Sequence, residues 1–205
     1  MSEYPVTLTD RVRAVTGKFM TQLGNVLYRA GVHPDSITIL GLLIVIGACV
    51  LIGNGEFQLG GLVLLLGLPL DAVDGAVARA MQRKDRFGAM LDSSLDRYAD
   101  GLIFAALSYY FAIQDEHTLL LLALVSLVGS FMVSYARARA EGVDVDVRIG
   151  WFTRMERVLL ILLILLVPPT LEIGMWFMAI GTNSTALQRI WFEYKTLRQR
   201  HYEGE

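Results

Sequence analysis

Long apolar blocks separated by short polar connections occupy most of the chain. Six blocks are close to the ~20 residues that a helix needs to cross the hydrocarbon core of a membrane, so the pattern predicts six membrane-spanning helices. Pro168-Pro169 separates the last two blocks, because proline removes a backbone donor and disfavours helix in the residue before it. The predicted spans are 36–53, 58–80, 90–113, 118–139, 154–171 and 173–195.

A different pattern precedes the first block. Over residues 7–31, apolar side chains recur at helical spacing opposite basic ones, which predicts an amphipathic helix. Such a helix suits the headgroup layer beside the first span, although a linker helix in water is an alternative. The apolar face comprises Val12, Val15, Phe19, Leu23, Val26 and Leu27, and the basic face comprises Arg11, Lys18 and Arg29.

Composition agrees with lipid as the main solvent. Of the 205 residues, 54% are hydrophobic, which is unusual for a water-soluble domain. We therefore predict an all-α, polytopic membrane protein: six transmembrane helices in residues 34–197, an amphipathic juxtamembrane segment in 1–33 and a cytoplasmic tail in 198–205. The single cysteine, Cys49, excludes an internal disulfide and a cysteine metal site. We expect membrane lipids, and no nucleic acid, as partners.

The basic residues predict the orientation of the helices. All 18 Lys and Arg residues fall on one set of alternate connections, and the other connections contain none. Because basic residues accumulate on the cytoplasmic side, and because six spans return the chain to its starting side, we expect both termini in the cytoplasm. The basic segments are the N-terminal stretch, 79–97, 137–157 and 189–200; the connections without Lys or Arg are 54–57, 114–117 and 168–173.

Four aspartates interrupt the second and third apolar blocks. A carboxylate inside a membrane helix costs a few kcal/mol, so its presence requires a reason. Asp71 and Asp74 are three residues apart and Asp92 and Asp96 are four apart, and these spacings place each pair on one helical face. The two helices are predicted to be antiparallel around a basic loop at 81–87, so the pairs can meet at similar depth near the cytoplasmic face.

Four converging carboxylates would repel one another in a medium of low dielectric constant. Either most of them are protonated or cations lie between them. Hard oxygen ligands without cysteine or histidine favour Mg²⁺ or Mn²⁺ over zinc, and two such ions are the usual device for displacement at phosphorus. Two alternatives stay open: interfacial ion pairs with Arg79, Lys84 or Arg97, and a divalent-cation transporter lined by the aspartates.

The aspartates belong to a longer motif. Asp71-x-x-Asp74-Gly75-x-x-Ala78-Arg79, eight further residues and Gly88-x-x-x-Asp92-x-x-x-Asp96 match the signature of the CDP-alcohol phosphotransferases in full. The chain resembles that family also in its six-span layout and its N-terminal helix. The resemblance implies a Mg²⁺-dependent enzyme of phospholipid biosynthesis. It would transfer a phosphatidyl group from CDP-diacylglycerol or an ether-lipid analogue to an alcohol, release CMP and act as a homodimer.

The resemblance also implies a role for each matching residue. Asp71, Asp74, Asp92 and Asp96 would hold two metal ions, and Asp96 would be the general base that takes the proton of the acceptor hydroxyl. The CDP-lipid would contact Gly75 and Arg79, the turn formed by Pro34, Asp35, Ser36 and Ile37, and Asp85, which stands where relatives often carry a hydroxyl residue.

Polar residues near the inner ends of the last three predicted spans suggest an anionic acceptor. Snorkelling to lipid headgroups would explain the same arginines. Ser134, Arg137, Arg154 and Arg189 resemble the inositol phosphate pocket of the phosphatidylinositol phosphate synthases of actinobacteria and of their archaeal counterparts. That resemblance implies myo-inositol 1-phosphate as the acceptor; phosphatidylglycerophosphate synthesis from glycerol 3-phosphate is the alternative.

Overall fold

The computed structural model describes residues 8–82, 86–147 and 149–203, and the side chains at 8–16, 18, 68–69, 71, 86 and 201–203 lie outside that description. Every regular element in the described residues is a helix, which confirms the predicted all-α class. The elements are α1 (Leu8–Arg29), α2 (Pro34–Gly53), α3 (Phe57–Ala80), α4 (Arg86–Ile113), α5 (His117–Glu141), α6 (Arg154–Leu166), a 3₁₀ turn (Pro168–Thr170) and α7 (Leu171–Glu203).

Three of the described helices are both long enough and apolar enough to cross a membrane. They are α2, α3 and α5, with 20, 24 and 25 residues. Since each residue of an α-helix rises ~1.5 Å, each of these helices covers about 30 Å or more, which matches the hydrocarbon core. The longer helices α4 and α7 carry more charged side chains, and α6 has only 13 residues. These features are those of a multi-pass membrane protein.

The double proline breaks the chain where the sequence predicts. α6 stops at Leu166, the 3₁₀ turn follows, and α7 starts at Leu171. Pro168 disfavours helical conformation at Val167, which has φ −123° and ψ 80°. The predicted span 154–171 is therefore too long at its C-terminal end. In contrast, α7 continues well past the predicted end at residue 195.

The chain divides into two compact units, Met1–Ala106 and Leu107–Glu205. In the first unit, α3 packs against both α1 and α2. The buried core between these helices contains Ile37 of α2 and Val73 and Val77 of α3. Close packing of these apolar side chains stabilises the position of α3, the helix that carries two of the four candidate aspartates.

Helix α1 comes very close to α3 at Gly24. A Cβ atom at this position would lie 2.7 Å from the carbonyl carbon of Ala76, which only a shift of the helices could relieve. Leu23 and Leu27, on either side of Gly24, pack against the buried core of α2 and α3. The glycine therefore allows the N-terminal helix to seat directly on the backbone of α3.

The apolar face of α1 is partly packed against α3 and partly exposed. Part of it covers α3, whereas Phe19 and Val26 are 64% and 63% exposed. A helix is present at Leu8–Arg29, and its exposed apolar side chains are available to another apolar medium; its place beside the membrane stays a prediction. The side chains of Val12 and Val15 lie outside the described residues.

In the second unit, α7 packs against α5 and α6. Gly129 of α5 lets the two helices come close, since a Cβ atom there would lie 2.8 Å from the Cβ atom of Thr182. The adjacent Asn183 side chain donates to the carbonyl oxygen of Val125, on α5, at 3.0 Å. Small residues at such crossings permit tight packing of membrane helices. This packing fixes α7 against α5 a short distance before Arg189.

Candidate active site

Asp74 is a buried acidic group on α3. Its side chain is only 6% exposed. The hydroxyl group of Thr38, on α2, donates to Asp74 Oδ2 at 2.8 Å. Burial of a carboxylate is costly unless hydrogen bonds or cations compensate for the lost water. A neighbouring helix thus supplies one of the groups that make the buried position of Asp74 tolerable.

The backbone of α3 places Asp71 on the same helical face as Asp74, and the Asp71 side chain lies outside the described residues. One residue after Asp74, Gly75 makes room for Arg79, because a Cβ atom at Gly75 would lie 3.3 Å from Arg79 Nη1. The guanidinium group of Arg79 therefore lies back along α3, and the residue is exposed, so a phosphate can reach it. Asp85, which was also predicted to contact the CDP-lipid, lies outside the described residues.

Asp92 and Asp96 are four residues apart on α4, and both are partly buried. Asp96 Oδ2 lies 3.9 Å from Arg97 Nη1, and the same guanidinium nitrogen donates to the carbonyl oxygen of Ser93. An ion pair of this length with a partly exposed arginine contributes little. The ion-pair alternative therefore has one weak contact at Asp96 in its favour. Of its other two partners, Arg79 lies back along α3 and Lys84 is outside the described residues.

The chemistry of these groups fits divalent cations. They are carboxylate oxygens, which are the ligands that Mg²⁺ prefers, and Asp74 is buried beside a hydroxyl donor. Within the part of the chain that is described, no three acidic, histidine or cysteine side chains form a group that could hold a metal ion. That part omits the Asp71 side chain, to which the motif gives a place at both ions. The four-aspartate site therefore stays a prediction.

The other predicted donor-side residues, 34–37, form the first turn of α2, so the helix starts two residues before the predicted span at 36. His33 is extended, with φ −82° and ψ 137°, and Pro34 opens the helix, a position that proline favours. The Ser36 amide donates to His33 O at 3.1 Å, and Asp35 Oδ2 lies 3.5 Å from His33 Nδ1. Pro34 and Ile37 are buried. The two apolar residues thus fix the turn, while Asp35 and Ser36 are its polar groups.

Arg189 of α7 is the centre of a second polar cluster, in the second unit. The residue is 6% exposed. Its Nε atom donates to the carbonyl oxygen of Ile149 at 3.0 Å, and its Nη1 atom donates to that of Val133 at 2.7 Å. These bonds tie α7 to α5 and to the loop before α6. The predicted acceptor-binding arginine is therefore also a structural crosslink, a role that the sequence did not indicate.

The charge around Arg189 is predominantly positive. Arg137 of α5 and Arg157 of α6 are near enough to repel its guanidinium group, and Glu193, one turn later on α7, attracts it. Arg157 is 3% exposed, whereas Arg137 is exposed and pairs with Glu141 at 3.2 Å. Arg157 and Arg189 are therefore the buried positive groups, and buried positive charge is stabilised by an anion. The cluster is therefore suited to binding an anion.

The start of α6 positions Arg154. The Thr153 amide donates to Glu156 Oε2 at 2.8 Å, and the Thr153 hydroxyl donates to the same oxygen. This is the reciprocal arrangement by which a glutamate near a helix start satisfies the backbone donor of the cap residue. Arg154, the first residue of the helix, is partly buried. The hydrogen bonds between Thr153 and Glu156 thus fix the backbone at Arg154.

The four predicted acceptor residues have different surroundings. Arg189 donates to the carbonyl oxygen of Val133, one helical turn before Arg137 on α5, so α5 brings the backbone at Arg137 towards Arg189. Ser134 is partly buried and follows Val133, which accepts a hydrogen bond from Arg189, so its backbone adjoins the cluster. Arg154 lies on α6, three residues before Arg157. The acceptor contacts of all four residues stay predictions.

Sequence reasoning missed two polar residues of these sites, Arg157 and Thr38. Arg157 follows Arg154 by three residues, a spacing that puts both on one side of a helix and could have drawn attention to it. Thr38 gave no signal, because a hydroxyl in an apolar helix usually bonds to a carbonyl of its own helix. Its contact with Asp74 joins residues 36 positions apart and is a product of tertiary packing.

Gly150 maintains the loop that Arg189 holds. Its φ is +135°, which side chains rarely adopt, and a Cβ atom would lie 2.8 Å from Thr185 Cγ2. We expect Gly150→Ala to destabilise the fold by about 1–3 kcal/mol and to weaken acceptor binding. Thermal unfolding in detergent and acceptor titration measure both effects. Gly17→Ala is a matched control, since nothing lies within 4 Å of its added methyl group; equal stability of the two variants would contradict the role of Gly150.

Residues 31–187, well over half of the chain, match the CDP-alcohol phosphatidyltransferase family. The chain belongs to this family and is a phosphatidyltransferase. The identification made from the aspartate motif is therefore confirmed, and the motif lies inside the matched region.

The relatives narrow the comparison to one kind of phosphatidyltransferase. A phosphatidylinositol phosphate synthase of Streptomyces avermitilis is 34% identical over 197 residues, which cover 89% of this chain and 81% of the relative. The crystal structure of Mycobacterium tuberculosis phosphatidylinositol phosphate synthase with CDP-DAG bound is similar with a TM-score of 0.81 at 32% identity, covering 86% of this chain and 94% of that one. The same mycobacterial enzyme in complex with manganese and citrate gives a TM-score of 0.80 at 32% identity, with 85% and 88% covered.

Proposed function

We propose that this enzyme transfers the phosphatidyl group of CDP-diacylglycerol to myo-inositol 1-phosphate, giving phosphatidylinositol phosphate and CMP. The observation that carries the proposal is the burial of two arginines, Arg157 and Arg189, in the second unit, since buried positive charge suits an acceptor that already bears a phosphate. The similarity to the Streptomyces avermitilis synthase and to the Mycobacterium tuberculosis enzyme with CDP-DAG bound supports this choice of acceptor and donor.

The donor side of the reaction belongs to the first unit. Asp71, Asp74, Asp92 and Asp96 would hold two Mg²⁺ ions, or Mn²⁺, the metal of one mycobacterial complex. Bound divalent ions supply charge neutralisation for the diphosphate and for the leaving CMP. The buried, hydrogen-bonded state of Asp74 supports this assignment, because a carboxylate there is compensated most simply by a cation.

The remaining steps fall to the chain's own residues. The acceptor hydroxyl oxygen attacks the phosphorus of the phosphatidyl group, the bond from that phosphorus to the CMP oxygen breaks, and Asp96 accepts the hydroxyl proton. Arg79, lying over Gly75, binds the donor diphosphate, for which its exposed guanidinium group is well suited. The turn at 34–37 binds the nucleotide. Asp85 is assigned to the donor site only because of its position in the family motif.

The acceptor phosphate binds in the second unit. Arg137 and Arg154 supply charged donors, and Ser134 supplies a hydroxyl. Arg189 contributes through the part of its guanidinium group that does not hold Ile149 and Val133. A planar group with five N–H donors can serve both purposes at once, which a lysine cannot.

Six membrane spans, α2 to α7, are the arrangement that we propose. Support for the three helices that are less apolar or shorter comes from their exposed apolar side chains, since a water-soluble surface of this kind would be unusual. Examples are Tyr109 of α4 at 61%, Leu163 of α6 at 47%, and Phe177 and Ile180 of α7 at 60% and 59%.

The N-terminal helix would lie in the headgroup layer, with Phe19 and Val26 in contact with lipid. The distribution of basic residues supports a cell-membrane enzyme with both termini in the cytoplasm. The segments 1–33, 34–197 and 198–205 then act as juxtamembrane segment, catalytic membrane domain and tail. We infer a homodimer from family resemblance.

An acceptor screen tests the function directly. Purified enzyme in detergent micelles is incubated with radiolabelled CDP-diacylglycerol and Mg²⁺, and CMP release is measured with inositol 1-phosphate, glycerol 3-phosphate, serine or free inositol. Compared with free inositol, inositol 1-phosphate should have a kcat/KM at least ~10-fold higher, because a hydrogen bond to a charged group contributes ~1.5–3 kcal/mol. Omission of Mg²⁺ should stop CMP release.

Two results of the screen would overturn parts of the proposal. Preference for glycerol 3-phosphate would replace the acceptor while leaving the reaction class intact. Absence of CMP release with every acceptor, together with flux of Mn²⁺ into liposomes containing the protein, would favour the divalent-cation transporter. The arginine cluster speaks against transport, since positive groups repel the cation to be carried.

A further inference from the structure

The contact between Thr38 and Asp74 joins two helices beside the candidate metal site. Thr38 lies on α2 and Asp74 on α3, and the hydroxyl-to-carboxylate distance is 2.8 Å. Both residues are at least partly buried. A hydrogen bond to a carboxylate is stronger than one between neutral groups, so it restricts the rotation of the Asp74 side chain.

The hydroxyl of Thr38 has a second acceptor within reach. The carbonyl oxygen of Pro34, one turn earlier on α2, lies 3.2 Å away. A hydroxyl carries a single hydrogen, and the shorter distance and the charge both favour Asp74. Thr38 is thus placed between the first residue of the donor-side turn and a carboxylate of the aspartate motif.

Apolar packing holds the two helices in register at this contact. Ile37, the residue before Thr38, is buried against Val73 and Val77, which flank Asp74 on α3. The position of α2 against α3 therefore does not depend on the hydrogen bond itself. The loss of the hydroxyl should remove one restraint on the orientation of the Asp74 side chain while leaving the helix pair intact.

We propose that Thr38 is a positioning residue that holds Asp74 in the orientation needed to bind a divalent cation. The inference rests on the proposed metal-dependent function. Groups that orient a metal-binding side chain typically change metal affinity about 10- to 100-fold when removed. Thr38 does not touch the substrate in this role; it acts through Asp74 alone.

Binding of Mn²⁺ to the purified protein in detergent, without substrates, measures this role by electron paramagnetic resonance. Thr38→Val, which keeps the branched shape and removes the hydroxyl, should raise the Kd for Mn²⁺ about 10- to 100-fold. Thr38→Ser, which keeps the hydroxyl, should bind Mn²⁺ like the unaltered protein. Each variant is compared as a monodisperse sample by gel filtration, so that misfolded protein is excluded.

Asp74→Asn separates failure of the inference from failure of the proposed function. Weak Mn²⁺ binding by Asp74→Asn together with unaltered binding by Thr38→Val would overturn the role of Thr38 alone. Equally weak binding by Thr38→Ser and Thr38→Val would also overturn it, because the hydroxyl would then be irrelevant. Unaltered Mn²⁺ binding by Asp74→Asn would remove the metal site and the inference together.

Discussion

Asp96→Asn is expected to lower kcat for phosphatidyl transfer by about 10²–10⁴-fold, the usual contribution of a general base. The amide has nearly the shape of the carboxylate but cannot accept the proton of the acceptor hydroxyl. Because Gly75, Arg79 and the turn at 34–37 are unchanged, binding of CDP-diacylglycerol should persist. Single-turnover CMP release and equilibrium binding of the radiolabelled donor measure the two quantities separately.

Asp115→Asn is the matched control for this substitution. Asp115 lies in the connection between α4 and α5 with φ +58°, a left-handed conformation that asparagine tolerates well. It should transfer the phosphatidyl group at the unaltered rate. A near-normal rate for Asp96→Asn would remove Asp96 as the base, and a parallel loss of donor binding would show that it acts mainly in binding.

Arg189→Ala is expected to impair both acceptor binding and stability. It removes the donors for the carbonyl oxygens of Ile149 and Val133, and each buried carbonyl left without a donor costs about 1–3 kcal/mol. Loss of a charged contact to the acceptor phosphate should raise the KM for inositol 1-phosphate about 10- to 100-fold, with little change for the lipid. Initial rates at varied acceptor and donor, together with thermal unfolding, test both expectations.

Arg137→Ala distinguishes the two roles. Arg137 is exposed and its ion pair with Glu141 is on the surface, where such pairs contribute about 0–1 kcal/mol. Its removal should therefore raise the acceptor KM while leaving the unfolding temperature nearly unchanged. Equal increases in the KM for acceptor and lipid in Arg189→Ala would instead show that its effect comes through the fold and not through the acceptor.

Helices and their faces were accessible from the sequence, whereas their exact ends were not. Long apolar blocks identified α2, α3 and α5, and Pro168-Pro169 located the break before α7, because proline constrains the backbone locally. The end of α6 at Leu166 depends on how one proline constrains the residue before it. One part of the apolar face of α1 packs on α3 and the other part is exposed. Gly24 sets which part packs, and the sequence alone does not show that Gly24 contacts Ala76.

The candidate sites show the same limit. A fixed motif identified the aspartates by residue type and spacing, and family membership confirmed the reaction class. Sequence spacing did not reveal that Thr38 bonds to Asp74, or that Arg189 holds two backbone carbonyls, since both contacts join distant parts of the chain. Arg157 was missed because it looks like one more basic residue at a helix start.

The close contact of Gly24 with the backbone of Ala76 makes the N-terminal helix a packed part of the first compact unit. A chain shortened to begin at Pro34 would uncover the side of Val73 and Val77 that Met20, Leu23 and Leu27 cover, while Ile37 of α2 would stay in place. Loss of α1 would therefore change the packing beside the buried Asp74 on one side of α3 only, because the contacts of α2 with Val73 and Asp74 do not involve α1.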